Sequence, residues 1–161
     1  MSTTTLKKPR LGSDTTTNGV RITVQPAYSS LESDPANNYY KFVYRIRIRN
    51  ESDRTVQLVS RHWIIVDANG ERQEVRGNGV VGRQPVLEPG QAFEYASFCP
   101  LSTPWGTMEG GYQMRELRTL VESEAGEPDA PESKVSTAGE GFEARITRFF
   151  LVCPPDAATT L

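Results

Sequence analysis

Apolar and polar residues alternate with a period of two through much of the chain from Val20 onward. In YYKFVYRIRIRN, Tyr40, Phe42, Tyr44, Ile46 and Ile48 share one side, and Lys41, Arg45, Arg47 and Arg49 take the other. A helix would scatter that set around its circumference, so the segment reads as a strand with one face in a core. VRITVQ repeats the pattern with Val20, Ile22 and Val24 and is expected to end near Pro26. TVQLVSRHWIIVD is rich in β-branched and aromatic residues, Asn69-Gly70 signals a hairpin turn, and ERQEVRG is the returning strand. AFEYASF alternates again after a Pro-Gly turn, and YQMRELRTLV and GFEARITRFFLV supply the last two strands. CPLSTPWGTMEGG, broken by prolines and glycines, is expected to be a long loop. No window carries helical periodicity of useful length. Seven or so short strands joined by turn signals predict an all-β, antiparallel sandwich.

The length, 161 residues, supports one domain with a real core. Charged residues make up 24%, hydrophobic ones 37%, and no apolar run spans a bilayer, so the expectation is a globular protein without membrane insertion. The first residues, 1–18, are Thr/Ser-rich and read as a disordered N-terminal tail without a secretory pattern. The folded domain is placed at 19–155, with a short C-terminal tail over 156–161. Cys99 and Cys153 lie far apart with no metal-type spacing, which points to free thiols in a reducing, cytoplasmic compartment. The net charge of −2 is uneven. Six acids (Glu122, Glu124, Glu127, Asp129, Glu132, Glu140) face Lys134 alone within 122–140, which is read as a flexible acidic insertion at a hairpin tip.

Gly77, Gly79 and Gly82 have the GxGxxG spacing of dinucleotide sites. That chemistry needs a helix opening at the last glycine, and Pro85 and Pro89 exclude one here. Two readings stand: glycines serving an irregular connection, or an anion-binding nest of amides rimmed by Arg76 and Arg83. His62 is the only histidine and sits mid-strand, so no imidazole-paired catalytic or metal site can be assembled. Asp67, Asn69 and Glu71 read as turn residues, not as part of a calcium loop. The basic row on YYKFVYRIRIRN reads as a solvated face matched by acids such as Glu94, Glu116 and Glu143, so nucleic acid is not expected as a partner. Trp105 and Met108, in the expected long loop, either plug one end of the sandwich or offer apolar contacts to a partner.

SRHWIIVDANG, and then EVRGNGVVGRQPVLEPGQAFEYASFCPLSTPWGTMEGGYQM, resemble the bacterial ApaG family. The resemblance covers about Val20 to Leu120 and resumes at FEARITRFFLVCP; the acidic stretch 122–140 and the Thr-rich N-terminus depart from it. It implies a fibronectin type III-like sandwich, an association with cobalt resistance and magnesium efflux, and genetic linkage to diadenosine tetraphosphate hydrolysis. It carries no catalytic residues. The expectation is therefore a non-catalytic, cytoplasmic binding module needing no cofactor or resident metal. Its predicted surface is one end of the sandwich. There Gly77, Gly79, Gly82, Arg76 and Arg83 would hold a small phosphate anion, and Trp105 and Met108 would meet a protein partner. The alternatives are a phosphoanhydride-acting enzyme using Glu74 or Glu88, and a pure protein adaptor.

Overall fold

The computed structural model describes residues 11–121 and 134–155, with side chains described over 11–118 and 139–155. Nine strands fall within them: β1 (Ser13–Thr17), β2 (Val20–Tyr28), β3 (Tyr40–Asn50), β4 (Thr55–Asp67), β5 (Arg72–Asn78), β6 (Val86–Leu87), β7 (Ala92–Leu101), β8 (Trp105–Val121) and β9 (Lys134–Val152). One sheet runs β1-β2-β3-β7; the other runs β5-β4-β8-β9, with β6 paired to the start of β4. All pairings are antiparallel. The two sheets form the fibronectin type III/immunoglobulin-like sandwich that the sequence predicts.

The period-two pattern fills the space between the sheets. Val20, Ile22 and Val24 from β2 and Phe42, Tyr44, Ile46 and Ile48 from β3 are buried against Trp63, Met108, Tyr112, Ile146 and Phe149 of the second sheet. At the centre, Tyr44, Trp63 and Phe149 pack in mutual contact with ring centroids 5.5–5.9 Å apart, in tilted or edge-on geometry. Full burial of each such side chain stabilises the fold by roughly 2–3 kcal/mol. Two polar residues, Asn50 and Thr103, are buried as well. Asn50 donates to the carbonyls of Arg54 (2.6 Å) and Leu87 (2.9 Å) and accepts from the Ser52 amide (3.0 Å), tying the turn after β3 to β6.

Three expectations are corrected. The expected tail is structured where it can be described: Ser13–Thr17 form β1, paired to β2 from Ser13↔Val24 to Thr17↔Val20. The turn between them places Asn18 at φ 47° and Gly19 at φ 80°, the left-handed pair of a tight mirror-type hairpin. Residues 1–10 lie outside the described residues. The expected long loop is mostly strand, because β7 continues through Pro100 to Leu101 and β8 begins at Trp105. Its glycines keep the strand where side chains would not fit. A Cβ on Gly110 would sit 1.9 Å from the His62 carbonyl oxygen. The third concerns the acidic stretch 122–140: its last part belongs to β9, which pairs with β8 out to Val121↔Lys134, while 122–133 lies outside the described residues.

The two sides of the sandwich differ. Along β1 and β9 the sheets are stitched together: Thr15 and Thr147 hydroxyls meet at 2.5 Å, the Arg145 amide donates to Thr17 Oγ1 (3.2 Å), and the Phe150 amide donates to the Leu11 carbonyl (2.8 Å). Along β5 and β7 they part, and a groove opens.

Candidate functional site

The groove begins with a phase change in β4. Val56 and Leu58 point into the core, but the β4–β8 register shifts between Leu58 and Ser60, leaving Val59 as an extra residue. After this bulge the inward set is Arg61, Trp63 and Ile65, and His62 faces outward. A guanidinium is thereby turned toward the space between the sheets. It fits because the residue across from it is glycine: Arg61 pairs with Gly77, and a Cβ there would lie 2.7–2.9 Å from the guanidinium atoms.

The segment after β5 locks onto the bulge. The Gly79 amide (2.8 Å) and Gln84 Nε2 (2.9 Å) both donate to the Val59 carbonyl. Val80 and Arg83 exchange two backbone hydrogen bonds (2.8 and 2.9 Å), closing a two-residue turn over Val81 at φ 44° and Gly82 at φ 76°. Both are left-handed, which suits Gly82 and strains Val81, since a β-branched residue has little room there. Arg61 Nη1 donates to the carbonyls of Asn78 (3.0 Å) and Gly79 (2.8 Å). The three glycines are thus architectural: Gly77 clears space for Arg61, and Gly79 and Gly82 adopt positive φ.

The resulting groove has a volume of about 370 Å³. Val81 stands exposed at its rim, the buried Trp63, Val80 and Met108 lie at its floor, and Tyr95 and Cys99 form its β7 wall. Tyr44 and Ser97 also line it, and the Tyr95 and Tyr112 hydroxyls share a hydrogen bond. Burial raises the phenol pKa of Tyr44, Tyr95 and Tyr112 above the ordinary value, with the Arg61 charge opposing that shift in each. Burial likewise pushes the Cys99 thiol up to about 11, so it stays protonated and inert near neutrality. Among the described residues, no carboxylate pairs with Arg61, and neither Nε nor Nη2 has a protein hydrogen-bond acceptor. A predominantly apolar concavity with a few converging polar groups has the character of a ligand site.

The residues singled out from sequence do not all converge here. Gly77, Gly79 and Gly82 belong to the turn that walls the groove, but the amides of Gly79, Val80 and Arg83 are already bonded within the fold. Arg76 stands beside His62 on the outer face, and Arg83 is exposed on the turn. The Gly79 amide is therefore already spent within the fold, and Arg76 lies on the face opposite the groove. Met108 is not a loop anchor but a core residue, 1% exposed. Trp105 is half exposed at the start of β8, opposite Val152 and near Phe150 on the outer face. The glycine turn is anchored at Val59, level with Gln113 of β8, roughly 25 Å along the strand from Trp105 at about 3.3 Å per residue. The single shared end expected for the two segments is thus not formed; Met108, and not Trp105, lines the groove together with the turn.

The other candidates resolve simply. Glu94 pairs with Arg47 (3.4 Å) as expected, whereas Glu116 pairs with Arg54 and Glu143 lies over Gly111 of the second sheet. Asp67 Oδ1 accepts the amides of Asn69 (2.9 Å) and Glu71 (3.0 Å), which is turn chemistry. Cys99 and Cys153 are free and buried. No helix among the described residues is long and apolar enough to cross a membrane. Sequence reasoning stopped at His62 and missed Arg61. The signal was available by counting back in steps of two from Ile65 and Trp63.

Fold and groove together define a two-sheet, all-antiparallel β-sandwich with one stitched side and one open side. The ApaG domain model matches residues 30–116. The chain is 45% identical over 138 residues to protein ApaG of Anaeromyxobacter dehalogenans, covering 86% of this chain and 93% of that one. To protein ApaG of Brucella abortus it is 54% identical over 99 residues, 62% of this chain and 76% of that one. A crystal structure of a Bordetella pertussis protein given the name ApaA superposes with a TM-score of 0.69 at 41% identity, covering 84% and 94% of the two chains. The chain belongs to the ApaG family.

Proposed function

We propose that this chain is a non-catalytic binding module whose working site is the groove between β5 and β7. The observation that carries this reading is Arg61. It is turned inward by the bulge, held by two carbonyls of the glycine turn, and without an acidic partner among the described residues. A cation so placed is completed by an anionic group from outside.

The catalytic alternative finds less support. Glu74 faces outward, pairing with His62 (3.3 Å) and Arg72 (3.1 Å), and Glu88 lies in the turn before β7, so neither carboxylate addresses the groove. The link to cobalt resistance and magnesium efflux implied by the family resemblance would then run through the bound ligand or a protein partner. Among the described residues no three His, Cys, Asp or Glu side chains form a group able to hold a metal ion.

Two measurements on the intact protein test this. Amide chemical-shift mapping with a mixture of small organic acids, amides and alcohols is expected to move Val80, Val81, Ser97 and Cys99. Sustained phosphate release from diadenosine tetraphosphate or pyrophosphate with Mg²⁺ would overturn the non-catalytic reading.

A further inference from the structure

We infer that the groove receives a single carboxylate carried on a compact apolar body, rather than a phosphate chain. The inference rests on the groove being the binding site, and it adds the chemical class of the ligand.

Charge and donor inventory decide between the anions. The groove offers one guanidinium, whose Nη1 is already committed to the carbonyls of Asn78 and Gly79. That leaves the Nε and Nη2 edge, which presents parallel N–H groups at the spacing of two carboxylate oxygens. No lysine lines the groove, and three amides of the turn that could cradle a phosphate chain, those of Gly79, Val80 and Arg83, are bonded internally. A di- or tetra-anion would be left with uncompensated charge in a largely apolar space. A monocarboxylate would leave none.

The remaining walls describe the rest of the ligand. Val81 supplies exposed apolar surface over a buried floor of Trp63, Val80 and Met108, and Tyr95 adds an aromatic wall. A volume of about 370 Å³ lies at the lower end of small-molecule sites, enough for a ring and a short chain. The tyrosine hydroxyls, kept protonated by burial, remain hydrogen-bond donors or acceptors and not competing anions.

The test uses the intact protein and changes the ligand, so it does not depend on a variant folding. Phenylacetate, phenylacetamide and inorganic pyrophosphate are titrated separately, following the amides of Val80, Val81, Ser97 and Cys99 and the Trp63 indole N–H. Saturable shifts are expected with millimolar phenylacetate, and phenylacetamide is expected to bind about tenfold or more weakly, as for one lost charge-assisted pair. Arg61→Met should abolish that preference; Arg76→Met, which removes a guanidinium from the outer face of the same strand, should leave it in place. Equal binding of acid and amide would overturn the carboxylate assignment while leaving the groove as the site. Tighter pyrophosphate binding on the turn amides would overturn it in favour of a polyanion. Silence of every groove resonance with all three probes would overturn both the assignment and the proposed function.

Discussion

Replacing Val81 with Asn separates two roles that the native residue combines, shaping the turn and walling the groove. At φ 44° the valine occupies a left-handed conformation, which costs an L-residue roughly 1–2 kcal/mol and a β-branched one no less. Asn tolerates that region, and Asn-Gly is the favoured pair for a two-residue hairpin of this kind. Against the relief stands lost burial. Val81 is 58% exposed, so its contacts are worth about 0.6 kcal/mol of the roughly 1.5 kcal/mol of a fully buried valine. The balance is a stabilisation of about 0.5–1 kcal/mol. In urea, with a slope of about 2 kcal/mol/M for a domain of this size, the midpoint should rise by roughly 0.3–0.5 M at unchanged slope. The same change strips apolar surface from the groove rim, so an apolar ligand that covers the exposed 58% of Val81 should bind about fourfold more weakly, equivalent to about 0.9 kcal/mol. Stability and affinity are expected to move in opposite directions. A fall of 1 kcal/mol or more with intact slope would refute the assignment of strain to Val81. Unchanged affinity would refute its place in the groove wall.

Asn50→Ala removes the donor to two carbonyls at the sandwich end and should lower stability by about 2–3 kcal/mol, read as a urea midpoint; a loss under 1 kcal/mol would mean water replaces the amide. Gly77→Ala should displace the Arg61 guanidinium and release its hold on Asn78 and Gly79. We expect about 1–2 kcal/mol of destabilisation together with lost preference for acid over amide, and retention of that preference would show that Arg61 is not the receptor. Alkaline pH should destabilise the fold. Burial raises the Cys99 thiol from 9.0 to about 11 and raises Tyr44 and Tyr95 above 10, so the unfolded chain releases these protons first. Their contribution is complete below pH 9 and is lost as pH climbs through the folded values, on the order of 2 kcal/mol for Cys99 alone by pH 11. A urea midpoint that stays flat from pH 8 to 11 would contradict it.

The strands that the sequence made plain are those with one face in the core and one in water. β3 is the clearest, because each inward residue from Phe42 to Ile48 is large and apolar while the outward ones are mostly basic. β1 carries no such contrast. Its Thr-rich run presents no large side chain to the core and is held by pairing to β2 and by hydroxyl contacts to β9. The usable signal was local: Asn18-Gly19, the same dipeptide that marked the turn at Asn69-Gly70. Pro26 reads in the sequence as a strand end, yet β2 runs through it, because β1 stops pairing at Val24 and the missing N–H faces an unpaired edge.

The groove was hidden for a different reason. Alternation locates inward residues only while its phase is kept, and the extra residue at Val59 breaks the phase in the middle of β4. Read forward from Val56 and Leu58, the pattern puts Ser60 and His62 inside; read backward from Ile65 and Trp63, it puts Arg61 there. The conflict between the two directions is itself the sequence mark of a bulge, and the glycine at 77 is its counterpart across the ladder. The two features are one device. The bulge carbonyl is bonded by Gly79, the guanidinium it turns inward is bonded to the carbonyl of that same Gly79, and the turn that follows forces Val81 over the opening. GxGxxG in this chain is therefore the sequence trace of an inward-turned arginine and a strained rim. Paired replacement tests that coupling. If Gly77→Ala and Val81→Asn act on one device, their effects on acid-over-amide preference should be non-additive, whereas independent effects would separate the rim from the receptor.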